Sequence, residues 1–415
     1  MEPVPQRAFR GFDVRIWTGL IVVAVVGLYF MMNAPLHLVA HPAQPAGHAV
    51  AQPVAAVARA LAPAPASRRR LNYRPRQPIE TSGFPEVLSN LRWPIDASLE
   101  DVREGWLAGP TKAMAVLDRF VPSPGKSDVQ RLAMLLSKSN VLSFQGEPNR
   151  SYELLAETRS WVEPQDALAE FGLSTVMFFQ GMSALRRGET ENCIQCRGES
   201  SCILPIAPAA VHTNPTGSRL AIRHFTEYLE LFPDDLGVRW LLNVAHMTLG
   251  EYPEKVDPRY LVRLDPFWKS EFNIGKFRDI GHLARVDRFN MAGGAVLDDF
   301  NNDGRLDLAT TSSDPAAHMT YYHNAGDGTF QEHSEPAGLG PILGGKNLVQ
   351  TDYDNDGRLD LFISRGAWFL LGMPQTLLRN QGNGRFQDVT KQAGFDKEVN
   401  STASRWADYD NDGRL

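Results

Sequence analysis

The chain has 415 residues, enough for two or three domains, and is 43% hydrophobic and 22% charged, as globular proteins are. A net charge of -6 argues against nucleic acid as a partner, because phosphate binding wants a basic face. Three cysteines are too few for a disulfide framework, although one pair could close in an oxidising compartment.

At the N-terminus, Arg7, Arg10 and Arg15 precede an apolar run from Ile16 to Met32, and no Lys or Arg follows until Arg59. This asymmetry predicts a transmembrane helix through residues 16–32, a single-pass signal anchor with the bulk of the chain extracytoplasmic or periplasmic. Residues 1–33 form the cytoplasmic stub and anchor in this reading. Cleavage after the weak site "HLVA" at His37–Ala40 would give a secreted chain instead. Residues 34–83 are rich in Ala and Pro, with Arg68, Arg69 and Arg70 in a row, and read as a flexible linker.

Residues 84–270 carry helical periodicity. Leu132, Leu135, Leu136 and Leu142 lie on one helical face that ends at Gly146, and the return helix "SYELLAETRSWVEP" stops at Pro164. Ala221, Phe225, Tyr228 and Phe232 form another stripe. Paired helices of this length, with "GE" near the turn, resemble tetratricopeptide repeats (TPR) and predict an all-α TPR-like domain. A loop at residues 191–217 interrupts it and holds Cys193, Cys196, Cys202 and His212. Its readings are a disulfide, with Cys193 and Cys202 the preferred pair, a Cys₃His zinc site, or a redox Cys-x-x-Cys. Covalent haem fails, because Arg197 stands where Cys-x-x-Cys-His needs its histidine.

From about Ile280 the helical stripes vanish and a period of two appears in Leu306 and Leu308, and in Leu359, Leu361 and Ile363. Three strings align, "DFNNDGRLD", "DYDNDGRLD" and "DYDNDGRL", beginning at Asp299, Asp352 and Asp408, 53 and then 56 residues apart. Two of them are followed by "NAGDGTF" and "NQGNGRF", each with a similar tail, "QEHSEPAGL" and "QDVTKQAGF". A period near 55 with several short strands per unit predicts blades of a β-propeller over residues 280–415, too few for a closed ring.

Carboxylates this close repel by roughly 1 kcal/mol per pair at about 4 Å even in water. A divalent cation would offset that, and hard Ca²⁺ takes six to eight oxygens. The expected donors in the first loop are Asp299, Asn301, Asp303, Arg305 through its backbone carbonyl, and Asp307. In the second they are Asp352, Asp354, Asp356, Arg358 through its carbonyl, and Asp360. In the third, Asp408, Asp410, Asp412 and Arg414 are present. Four carboxylates make the second loop the expected tighter site. An EF-hand is rejected, because its position 12 needs Glu and here holds Thr310 or Ile363, and the flanks read as strands.

These loops, with the "NxGxGxF" strand and its tail, resemble the FG-GAP/VCBS repeats of integrin-α-type propellers. They look most like the group related to cartilage acidic protein, which usually ends in an ASPIC/UnbV domain. The helical half is similar to bacterial members with TPR-like helices before the propeller; "ENC…SC…H" and "RWLLNVAHMTLGEYP" carry that likeness. The resemblance implies calcium-stabilised blades, extracytoplasmic interaction roles with a protein or carbohydrate ligand, and no established enzymatic activity. It also implies more blades than the chain holds, so a C-terminally truncated chain is expected.

No H-E-x-x-H, G-x-S-x-G, P-loop or dinucleotide-binding glycine motif is present. The leading expectation is a membrane-anchored binding and scaffold protein. The alternative is an extracytoplasmic enzyme, polysaccharide-active or redox, with its catalytic part in a missing C-terminal region. His282, His318, His323 and His333 lack ligand spacing and read as surface or loop residues, while Trp368 and Tyr321–Tyr322 read as packing between blades, with a sugar- or peptide-binding platform as the alternative.

Overall fold

The structure is a computed structural model and describes residues 71–121, 127–192, 204, 206–268, 271–272, 279–367, 369, 371–397 and 399–415. Its first part is helical: α1 Phe84–Leu88, α2 Leu99–Asp118, α3 Ser127–Phe144, α4 Pro148–Val162, α5 Asp166–Asn192, α6 Thr216–Leu231 and α7 Leu236–Met247. The ends follow local chemistry. Ser98 caps α2 in a reciprocal box with Asp101, and the Asp235 side chain accepts from Val238 N–H at the start of α7. Between α3 and α4, Gly146 at φ 77° closes the turn, and Pro148 opens the next helix where its missing N–H costs nothing.

The expected stripes face inward. Leu132, Leu136 and Leu142 are buried in α3, and Ala221, Phe225 and Tyr228 in α6. Helix α5 is buried almost all round from Leu173 to Leu185 and forms the middle of the helical core. At Gly181 a Cβ would fall 2.3 Å from the Phe225 ring, so only glycine lets α6 approach this closely. Beyond α7 the chain folds back, and buried Glu251 accepts from both terminal nitrogens of Arg219 (2.6 and 2.7 Å) and from Lys255 (2.8 Å), with His246 3.3 Å away.

The expectation of an N-terminal transmembrane helix is corrected. Residues 16–32 lie outside the described residues, and among the described residues no helix is long and apolar enough to cross a membrane. The longest of them, α5, carries Asp166, Glu170, Arg186, Arg187 and Glu189, and it buries its apolar surface against other helices. The single-pass anchor, and the extracytoplasmic placement that rested on it, are corrected by the same observation.

Two short helices, α8 Asp265–Trp268 and α9 Gly281–Ala284, lead to two four-stranded antiparallel sheets. The first runs β1 Ala292–Asp298, β2 Asp307–Ser312, β3 Thr320–Asn324 and β4 Phe330–Glu332. The second repeats it as β5 Asn347–Thr351, β6 Asp360–Ser364, β7 Thr376–Gly382 and β8 Arg385–Asp388, with the same sequential order. The registers correspond: Leu308 pairs with Tyr322 in the first sheet and Leu361 with Leu378 in the second. The alternation in β6 is real, yet all five of its residues are buried, because both faces are covered. Leu361 and Ile363 join the core shared with the first sheet, while Phe362 packs on Phe395 and Trp406.

The sheets are pegged together by Phe300, 0% exposed, whose ring lies 6.2 Å from Tyr321 and 5.9 Å from Phe386. The tail after β4 joins in, as Ala337 and Leu339 are buried there and Phe386 N–H donates to Ala337 O. The helical and sheet parts meet at Phe369, in the β6–β7 connection, which sits edge-on to Phe84 and Trp106. Trp93 Nε1–H donates to Gly372 O at 2.9 Å in the same joint.

Two outcomes follow for stability. Phe300→Ala should destabilise the sheets by about 3–4 kcal/mol in urea unfolding, through loss of a fully buried ring shared by both cores. The hydrogen bonds from Arg219 hold the Glu251 carboxyl down to about 2 from its ordinary 4.5. A depressed carboxylate stabilises above its ordinary range, and that contribution is lost as pH falls toward about 2. Glu251→Gln should therefore cost about 2 kcal/mol at neutral pH and flatten the acid limb of the stability profile, read from urea midpoints against pH.

Candidate metal centre

Each Asp string folds as the same loop, and backbone hydrogen bonds explain why. The first Asp turns both oxygens back onto its own loop. Asp299 accepts from Asp303 N–H (3.1 Å) and Gly304 N–H (2.8 Å), and Asp352 from Asp356 N–H (2.9 Å) and Gly357 N–H (3.0 Å). Asp408 accepts from Asp412 N–H (3.1 Å) and Gly413 N–H (2.9 Å). The fifth residue then accepts from the seventh: Asp303 from Arg305, Asp356 from Arg358, and Asp412 from Arg414. The fourth and sixth positions are left-handed, with Asn302, Asn355 and Asn411 at φ 60°, 58° and 61° and Gly304, Gly357 and Gly413 at φ 85°, 81° and 81°. A Cβ at any of the three glycines would meet nothing within 4 Å, so conformation alone selects glycine there.

The loops bring together most of the expected donors. One oxygen each from Asp352, Asp354 and Asp356 lie within 4.8 Å of one another, and so do those of Asp408, Asp410 and Asp412. In the first loop the middle position is Asn301, whose Oδ1 accepts from Asp303 N–H. Carboxylate and amide oxygens on a tight turn are the donor set of a hard cation, and the residues fit Ca²⁺ on that chemistry.

The ninth-position carboxylates have a second occupation. Asp307 and Asp360 are both 0% exposed and begin β2 and β6. Asp307 accepts from Tyr321 OH at 2.5 Å and Asn324 N–H at 2.9 Å. Asp360 accepts from Asn380 N–H at 2.7 Å and Tyr353 N–H at 3.2 Å. Burial pushes the Asp360 carboxyl up to about 6 against these hydrogen bonds, and the charges of Asp354 and Asp356 add to the rise. The carboxylates thus tie each loop to the following hairpin, where Asn324 and Asn380 donate back to Leu306 O and Leu359 O.

Counter-charges at the loops came from residues the spacing did not single out. Arg379, on β7, places Nε 2.7 Å from Asp354 Oδ2 and Nη2 3.0 Å from Asp356 Oδ2. Arg358 pairs with Asp356 through its own guanidinium and donates to Asn380 O. At the first loop the matching position on β3 is His323, read from sequence as a surface histidine. Its Nδ1 lies 3.2 Å from Asp307 Oδ1 and 2.8 Å from Asn301 Nδ2. The signal was available: His323 and Arg379 each directly precede the Asn of the "NxGxGxF" strand. The aromatic second position of each loop was also informative. Phe300 is the inter-sheet peg, Tyr353 packs on Trp406, and Tyr409 stands 90% exposed. Cys193, Cys196, Cys202 and Trp368 lie outside the described residues.

Against this geometry, residues 299–363 match the family described as FG-GAP-like repeat, a span from the first loop through the second and into β6. The match thus takes in the first two Asp loops and the strands between them. The chain is also similar to cartilage acidic protein 1 of Homo sapiens, 24% identical over 181 residues, which are 43% of this chain and 26% of the relative. It is 25% identical over 182 residues to cartilage acidic protein 1 of Mus musculus, with the same coverage. The matched region spans about a quarter of the length of these relatives.

Because nothing blocks a methyl group at Gly357, Gly357→Ala tests the left-handed turn by itself. It should cost about 1–2 kcal/mol, read by chemical denaturation, with a smaller loss for Asn355→Gly.

Proposed function

We propose that this chain is a binding and scaffold protein whose FG-GAP-like repeats are blades of a β-propeller held in shape by calcium. One observation carries this: the same loop is built at three places with one hydrogen-bond pattern, and in two of them three carboxylates converge. Side-chain oxygens of Asp299, Asn301 and Asp303, of Asp352, Asp354 and Asp356, and of Asp408, Asp410 and Asp412 would hold the ion. Bound Ca²⁺ supplies positive charge that neutralises the cluster and fixes the turn. Strands on both sides of each complete loop separate it from an EF-hand.

The sequential packing of α3 on α4, α5 on α4 and α6, and α7 on α6 supports a TPR-like reading of the helical part, with a protein partner on its surface. The sheets offer a second face, for a protein or carbohydrate ligand. The proposed role is recognition.

Calorimetry on the full chain tests the calcium step. Saturable uptake with dissociation constants of about 10⁻⁴–10⁻³ M and a raised melting temperature are expected. Asp356→Ala should remove one site, and unchanged uptake in that variant would overturn the assignment.

A further inference from the structure

The three loops share a backbone but differ in what neutralises them. Among the described residues, no cationic side chain lies within 4 Å of Asp408, Asp410 or Asp412 in an ion pair, and Asp408 instead relies on loop N–H groups, Gly413 first. In the first loop, Arg305 Nη1 and His323 Nε2 lie 3.8 and 3.9 Å from Asp303 Oδ2, and His323 Nδ1 lies 3.2 Å from the ninth-position Asp307. The second has two guanidinium groups, Arg358 on Asp356 alone and Arg379 across the cluster, reaching Asp354 at 2.7 Å and Asp356 at 3.0 Å.

The position of Arg379 is not incidental. It occupies β7 opposite Gln387, as His323 occupies β3 opposite Gln331, so the hairpin delivers this side chain to the loop in both sheets. Its Nε and Nη2 touch two different carboxylates, which is how a cation between them would act. The Nε contact is electrostatic and lacks hydrogen-bond alignment, so it is a contact that can be exchanged.

We propose that Arg379 is a built-in counter-cation of the second loop, competing with Ca²⁺ for Asp354 and Asp356 and replacing it when calcium is scarce. This rests on the calcium reading above. It reverses the order that counting carboxylates suggests: the second loop, despite its four, is the weaker calcium site and the one whose sheet depends least on the ion. A cation entering between Asp354 and Asp356 must displace the guanidinium from at least one of them, and that exchange lowers the net gain from binding.

The test uses the full chain carrying Asp303→Ala and Asp412→Ala, so that calcium uptake reports the second loop, with and without Arg379→Gln. Calorimetry with Ca²⁺ and melting in chelator are the readouts. Arg379→Gln should tighten calcium binding about five- to tenfold and lower the melting temperature in chelator but not in saturating calcium. Arg379→Lys, which keeps one point charge, should fall between. Uptake that is present without Arg379→Gln and equal or weaker with it would overturn the counter-cation role while leaving the calcium reading intact. No uptake in either chain would overturn both. If Arg379→Gln does not fold in chelator, recovery of its melting transition by calcium supports the proposal, and failure to recover overturns it.

Discussion

Crowding of carboxylates at a turn is the constraint on which the sheet part depends. Three acidic or amide side chains at alternate positions cannot stay close unless their charge is met, and each loop meets part of it locally. The first Asp spends both oxygens on N–H groups of its own loop, which left-handed Asn and Gly residues turn inward. The remaining carboxylates stay near the surface, where a metal ion or a neighbouring cation can reach them. The last Asp, Asp307 or Asp360, goes the other way, into the core, and ties the loop to the next hairpin. One short string therefore anchors a sheet at one end and exposes a charged site at the other.

Packing carries that order from loop to sheet and from sheet to sheet. Phe300 extends from a loop of the first sheet into a core shared with Tyr321 and Phe386, and Asn380 of the second sheet donates to Phe300 O. A change in loop shape is thus felt by both sheets, because close-packed rings have no room to absorb it. Phe369 then connects the second sheet to α1 and α2 through a separate apolar cluster that includes Phe84, Trp106 and Met373.

Legibility in the sequence tracked how local the determining forces are. The stripes of α3 and α6 appeared as expected, since burial of one face imposes the period. The loops were legible from a nine-residue string because their hydrogen bonds lie within it. His323 was read as a surface or loop residue and Arg379 was not singled out, because their role arises from strand pairing with residues about twenty positions away. The N-terminal run suggested a spanning helix, whereas among the described residues no helix is long and apolar enough to cross a membrane.

By itself the sequence determined the helical half, the repeat, the turn conformation at each Asp string and the chemical type of the donors. These depend on side-chain period, on left-handed Asn and Gly, and on hydrogen bonds spanning five residues or fewer. Tertiary structure alone decided that Asp307 and Asp360 are buried, that Phe300 locks two sheets, and that an arginine faces one cluster and a histidine another. Those outcomes depend on which strands lie side by side, and strand pairing is set by the whole core rather than by any one stretch of chain.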